Sequence, residues 1–201
     1  MDSLVPSSTT ARHPFVPPPP PKTTKSAGTR RRLIDVAARL FIERGYSAVS
    51  MREIASAADL THGALYGHFR SKGQLLVEVI RWKIAEHDYE PSFAAMASDP
   101  QSAVELMYEP AGRDHRLLEV DAAAAARHDH DVADGITSLY VERHERTRDS
   151  MSDFADPDTA AWIIAALTAG IGMKESAGLP LPDADRLRAG VLAVIRGLGD
   201  A

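Results

Sequence analysis

The stretch Arg127-His128-Asp129-His130-Asp131 sets two imidazoles among two carboxylates, donors that suit zinc or manganese. On a helix, Asp134 would stand one turn beyond His130 and share its face. A metal site needs three or four convergent ligands, however, and a simpler reading competes. Asp129 can N-cap the following helix while the neighbouring acids complement its dipole. The capping reading is adopted, so no metal ligand, cofactor or catalytic residue is assigned.

A second stretch suits phosphate chemistry better. Ser50-Met-Arg-Glu53 and Ser71-Lys-Gly-Gln74 both have the spacing of a capping box, in which serine and acid or amide satisfy each other's backbone amides. A capped helix start presents further amides and the positive end of the helix dipole, which favour phosphate oxygens. Between the boxes, Thr61 can cap a short helix carrying His62, Gly63, Ala64, Tyr66, Gly67 and His68. Gly63 and Ala64 are small enough to let another surface approach that helix closely.

These residues need a frame. Leu33, Val36, Ala37, Leu40 and Phe41 recur at helical spacing, which predicts a helix from about Thr29 to Gly45, with Gly45 as a left-handed cap and Tyr46 as its next contact. Ile54, Ala55 and Ala58 give the second helix its inner face. Asp59-Leu60 makes a tight turn, with a positive φ expected at Asp59. Leu65 and Phe69 bury one side of a third helix over 61–69. Leu75, Leu76, Val79 and Ile80 do the same for a fourth that runs towards Glu86. The order is that of a helix-turn-helix.

Charge is distributed to match. The chain carries a net −5, yet residues 22–72 hold ten Lys/Arg against four acids, and residues 91–201 hold ten against nineteen. Screening confines electrostatic attraction to roughly 8–10 Å, so the local patch decides. Residues 1–27, with Pro17 to Pro21 in a row, read as a disordered tail, and Arg30 and Arg31 just beyond it could reach phosphate. No run of 18 apolar residues predicts a membrane span, no signal-peptide core is seen, and the absence of cysteine fits a cytoplasmic location.

Residues 29–76 resemble the DNA-binding domain of the tetracycline-repressor (TetR) family. The resemblance lies in T-R-R-x-L-I-D-x-A-x-x-L-F, then G-Y-x-x-x-S-M-R-E-I-A-x-A-A, then T-x-G-A-L-Y-x-H-F-x-S-K-x-x-L-L. It implies a three-helix DNA-binding domain over 28–76 and an all-α, antiparallel ligand-binding and dimerisation body over 77–201. It further implies that Thr61, His62, Gly63, Ala64, Tyr66, Gly67 and His68 face the major groove or its walls, and that Ser50, Arg52 and Lys72 touch phosphate. The expected protein is a homodimeric, ligand-responsive repressor on a palindromic double-stranded operator. Two departures stand out: Asp59 replaces the usual turn glycine, and His62 sits where Lys or Arg is common.

Beyond residue 91, helices are expected over about 100–109, 113–127, 129–153, 157–177 and 183–198, punctuated by Gly112, Gly178, Pro180 and Pro182. Trp82, Met107, Leu117, Leu139, Tyr140 and Trp162 are candidate lining of an effector cavity between helices. Trp162, Ile163, Leu167 and Ile171 on one late helix, with Leu187, Val191, Val194, Ile195 and Leu198 on the next, form the expected dimer face. Two alternatives remain open: a body that docks a protein partner, and a metal-dependent enzyme tethered by its N-terminal domain.

Overall fold

The computed structural model describes residues 23–86, 99, 101, 104–105 and 110–199. Its main helices are α1 (Thr24–Arg44), α2 (Met51–Ala57), α3 (His62–Tyr66), α4 (Lys72–Glu86), α5 (Pro110–Ala125), α6 (His130–Ser150), α7 (Pro157–Ser176) and α8 (Ala184–Gly199). No strand occurs among the described residues, and none of their helices is long and apolar enough to cross a membrane. Of the expected helix over 100–109, residues 101 and 104–105 are described and helical; Met107 and the proline run lie outside the described residues.

α1 begins five residues earlier than its periodicity suggests. Thr23 is the cap, its Oγ1 accepting from the Ser26 amide at 3.1 Å. Thr29, the expected cap, instead lies inside the helix and donates its hydroxyl to the Lys25 carbonyl at 3.1 Å. Residues 24–27 therefore form the first turn of α1. At the other end Gly45 has φ 80° and ψ 148°, a positive φ as expected but outside the left-handed helical region.

α1, α2 and α3 close on one apolar core with the first turns of α4. Leu33, Phe41, Ile54, Leu65, Phe69, Leu75 and Leu76 are fully buried. Each such side chain contributes about 1.5–3 kcal/mol, which is how so short a helix as α3 is held in place. α3 ends at Tyr66, three residues before the expected Phe69. The His68 and Phe69 amides both turn back to the Leu65 carbonyl at 2.9 Å, folding the aromatic ring inward.

The α2–α3 turn is a Schellman closure with aspartate in place of glycine. The Leu60 amide reaches the Ala55 carbonyl at 2.9 Å, the Asp59 amide reaches Ser56 at 3.2 Å, and Asp59 has φ 54°. The positive φ expected there is present.

α4 packs on α1 and on the body helices α5 and α6, while α5 also packs on α7. Gly172 permits that last contact, since a Cβ there would stand 2.9 Å from Arg116 Cβ. Within the body, charge is buried as well as apolar surface. Arg116 makes a two-pronged pair with Glu175, both contacts 2.7 Å. Glu119, buried beside His115, is bonded by Arg143 from α6, whose guanidinium lies 4.9 Å from the Tyr140 ring centroid. Burial alone would raise the Glu119 carboxyl; Arg143 and His115 outweigh it and hold it at about 2.

Candidate nucleic-acid interface

A short helix flanked by a capped helix start and a cation forms an exposed face on the first domain. Thr61 caps α3 by accepting from the Ala64 amide at 3.2 Å. Thr61, His62, Gly63, Tyr66 and Gly67 are exposed, and Ala64 and His68 are half-buried. A Cβ at Gly63 would meet nothing within 4 Å, so this turn of α3 is open to an approaching surface. Gly67 is tighter: a Cβ would lie 3.2 Å from the Ala64 carbonyl. The His62 ring stands edge-on to Tyr66, centroids 4.7 Å apart, so the two aromatic groups brace each other along one face. Burial, with Arg30 nearby, lowers the His68 pKa and favours its neutral ring.

Beside α3 the capping box of α2 is complete. Its Ser50 cap and the exposed Arg52 border an open cleft of about 480 Å³, lined by residues 47–52 with His62, Tyr66 and Lys72. Lys72 donates to the Tyr46 and Val49 carbonyls at 2.9 Å each and lies 4.1 Å from the Tyr46 ring centroid. Burial pulls its pKa below the ordinary lysine value. Two ammonium protons are thus engaged within the fold, while the head still borders the cleft. Such a notch of backbone amides, a hydroxyl and two cations suits a phosphate oxygen.

Two expected phosphate contacts are placed otherwise. Arg30 pairs with Glu78 and lies 5.1 Å from the Phe69 ring centroid, with 13% of its side chain exposed. Arg31 pairs with Asp35 at 2.9 Å and covers Trp82 at 3.5 Å. Both tie α1 to α4, because packing brings Glu78 and Trp82 within reach of cations that the sequence alone presents as free. The second capping box also shifts. Ser71 Oγ accepts from the Gln74 amide at 3.0 Å, but the Gln74 side chain accepts from Arg70, not Ser71. The start of α4 faces the body: Asp131 accepts from Ser71 Oγ at 2.5 Å and from Arg70 at 3.2 Å.

The tempting His–Asp stretch serves the same junction. Asp129 caps α6 through the Val132 amide at 3.2 Å and accepts from the Tyr46 hydroxyl at 3.0 Å. Asp121 accepts from the Tyr46 amide at 2.6 Å. Burial, and next the charge of Asp129, raise the Tyr46 phenol above its usual range, so it remains a donor. The sequence marks Tyr46 only as a helix-end contact; that it joins two distant acids has no local signature.

The candidate effector residues do not share one lining. Trp82 lies under Arg31 against α1, Leu139 is in the core, and Tyr140 is covered by Arg143. Leu117 borders a cleft of about 190 Å³ with Phe41, Ile42 and Asp121. Trp162 is 66% exposed and belongs to the outside of α7. The expected dimer face divides in the same way. Ile171, Val191 and Ile195 are buried within the chain, and Ile163, Leu167, Leu187 and Leu198 are half-buried, because the inner stripe of α7 and α8 closes on its own subunit. Trp162, Met173 and Val194 remain outward.

The family of bacterial regulatory proteins named for tetR has a model that matches residues 33–79. The HTH-type transcriptional regulator AcrR of Shigella flexneri is 47% identical over 58 residues, 29% of this chain and 26% of that protein. The HTH-type transcriptional repressor KstR2 of Rhodococcus jostii is 47% identical over 55 residues, 27% of each chain. The matched region thus spans about a quarter of these curated relatives. A Saccharomonospora viridis protein solved in complex with choline shares the fold over 85% of this chain and 96% of its own, at 22% identity and a TM-score of 0.69.

Proposed function

We propose that the chain, whose helix-turn-helix domain matches the TetR family of bacterial regulatory proteins over residues 33–79, is a sequence-specific transcriptional regulator of double-stranded DNA. It acts as a homodimer on a palindromic operator, responds to a small-molecule effector, and catalyses no reaction. The observation that carries this reading is the exposed α3 beside the capped start of α2 and the cleft bordered by Lys72. α3 enters the major groove, Thr61, His62 and Tyr66 meet bases or groove walls, and Ser50, Arg52 and Lys72 hold phosphate.

The dimer reading rests on the outward face of α7 and α8. Trp162 and Met173 are 66% and 61% exposed, and Cβ atoms at Gly170, Gly190 and Gly197 would meet nothing within 4 Å. Large apolar rims around small residues let helices of a second copy approach closely. Repression is the favoured direction because KstR2 carries that name. An effector would act by stabilising one packing of α4 against α5 and α6, to the extent that its affinity differs between the two packings.

The test is selection of bound duplexes from a random pool. The expected result is a palindrome whose half-sites lie about 34–36 Å apart or a multiple of that spacing. A chain that retains no duplex at low ionic strength would overturn the reading.

A further inference from the structure

Tyr46 is gripped from two sides. Its amide donates to Asp121 at 2.6 Å and its hydroxyl to Asp129 at 3.0 Å, so α5 and the cap of α6 both hold it. On the opposite side its carbonyl accepts from Lys72 at 2.9 Å, and its ring lies under the same ammonium. Lys72 donates a second hydrogen bond to the Val49 carbonyl, one residue before the Ser50 cap of α2. Contiguous hydrogen bonds therefore run from two acids of the body, through one tyrosine, to the cation and helix start that border the cleft. A space-filling role accounts for the edge-on packing of Tyr46 on Phe41, centroids 5.4 Å apart. It does not account for three polar contacts whose partners lie in different domains.

The surrounding contacts keep this connection short. A Cβ at Gly73 would stand 2.7 Å from Asp129 Oδ1, so the carboxylate rests against the first turn of α4. Asp131 fixes Ser71 and Arg70 immediately before Lys72. The backbone on both sides of the ammonium is thus referenced to the same end of the body.

We propose that Tyr46 is a positioning residue through which Asp121 and Asp129 of the body set Lys72, and with it the capped start of α2, against the DNA backbone. The proposal rests on the DNA-binding reading and adds to it the route by which the body governs phosphate contact. Displacement of either acid shifts Tyr46, and the ammonium follows because the carbonyl that fixes it belongs to the same residue.

The experiment compares full-length wild type, Tyr46→Phe, Lys72→Gln and the double variant on a mixed-sequence duplex across a salt series, with thermal melting in parallel. Tyr46→Phe removes only the Asp129 contact and keeps ring and carbonyl. The expected result is an affinity loss of about three- to tenfold for Tyr46→Phe, the range of one hydrogen bond. Its salt dependence becomes shallower in the direction of Lys72→Gln, by up to about one unit, and the phenylalanine change has no further effect once Lys72 is gone. Additive losses, or a lowered melting temperature with unchanged affinity and salt slope, would overturn the proposal. Asp121→Asn, which keeps an acceptor and removes the charge, gives the same comparison if Tyr46→Phe fails to fold. A wild-type chain that does not bind the duplex refutes the DNA reading itself; binding with a silent Tyr46→Phe refutes only this inference.

Discussion

Ser50 and Glu53 close the start of α2 on each other. Ser50 Oγ accepts from the Glu53 amide at 3.2 Å, and Glu53 Oε2 accepts from the Ser50 amide at 2.8 Å. Hydrogen bonds from the Ser50 hydroxyl and amide, then from Arg44, hold the Glu53 carboxyl at about 2, so it stays ionised across ordinary pH. The remaining first-turn amides are left for the cleft. Stability and DNA affinity should therefore separate at this position. Ser50→Ala is expected to cost about 1 kcal/mol of stability. Ser50→Asp keeps a capping acceptor but sets a carboxylate beside Glu53, so it should melt no better than Ser50→Ala yet bind duplex more weakly, because it adds negative charge where phosphate would lie. Thermal melts beside a salt titration check both, and equal binding by Ser50→Asp would remove this helix start from the phosphate contacts.

Asp59 carries φ 54° without being glycine. Glycine relieves the Cβ strain there at some entropic loss from the unfolded chain, so Asp59→Gly should stabilise by up to about 1 kcal/mol. Asp59→Val should destabilise by about 1–2 kcal/mol, since a β-branched residue suits that region least. Denaturant melts of the two variants measure the difference. A glycine variant less stable than wild type would mean that the aspartate side chain stabilises the turn by more than its strain.

The first domain is more legible in the sequence than the body, for a physical reason. Caps, the Asp59 turn and the apolar spacing of α1 and α2 are local rules, and Ser50, Thr61, Asp129 and Asp59 all do what local chemistry demands. The pairing of Arg30 and Arg31 has no local signature, because their partners Glu78 and Trp82 lie a helix away. Residue type alone suggests a ligand lining, and only packing reveals that Trp162 points outward while Tyr140 sits with buried charge. Ile171 and Ile195 show the same limit: an apolar stripe says that a face is covered, not whether by the same chain or by another copy.

Glu119 and Arg143 make the body sensitive to acid. The folded carboxyl is held at about 2, below the roughly 4.3 of a free glutamate, so its stabilising share is complete above the unfolded value. That share disappears as pH falls from about 4.3 towards 2. Glu119→Gln should cost about 3–5 kcal/mol at neutral pH, because it leaves Arg143 buried without its counter-charge. The gap between wild type and variant should narrow through the acid range. Denaturant melts at neutral pH and near pH 3 test the sign, and a gap that stays constant would show that the pair contributes no ionic stabilisation.

Gly190 offers the sharpest test of assembly. It is exposed on α8, and a Cβ there meets nothing within 4 Å of its own chain. Gly190→Glu should therefore leave the subunit fold intact, with a stability change within about 0.5 kcal/mol, as for surface positions generally. In a two-fold assembly each new carboxylate would enter a close helix contact and be repeated by symmetry beside its mate, so desolvation and repulsion act together. Sedimentation equilibrium should give the dimer mass for wild type and the single-chain mass for the variant. Binding to a full palindrome should fall steeply, while affinity for an isolated half-site should hold, since α3 and its cleft are untouched. A variant that keeps the dimer mass would place the subunit contact elsewhere than α7 and α8, and loss of half-site binding would mean that the substitution had disturbed the fold.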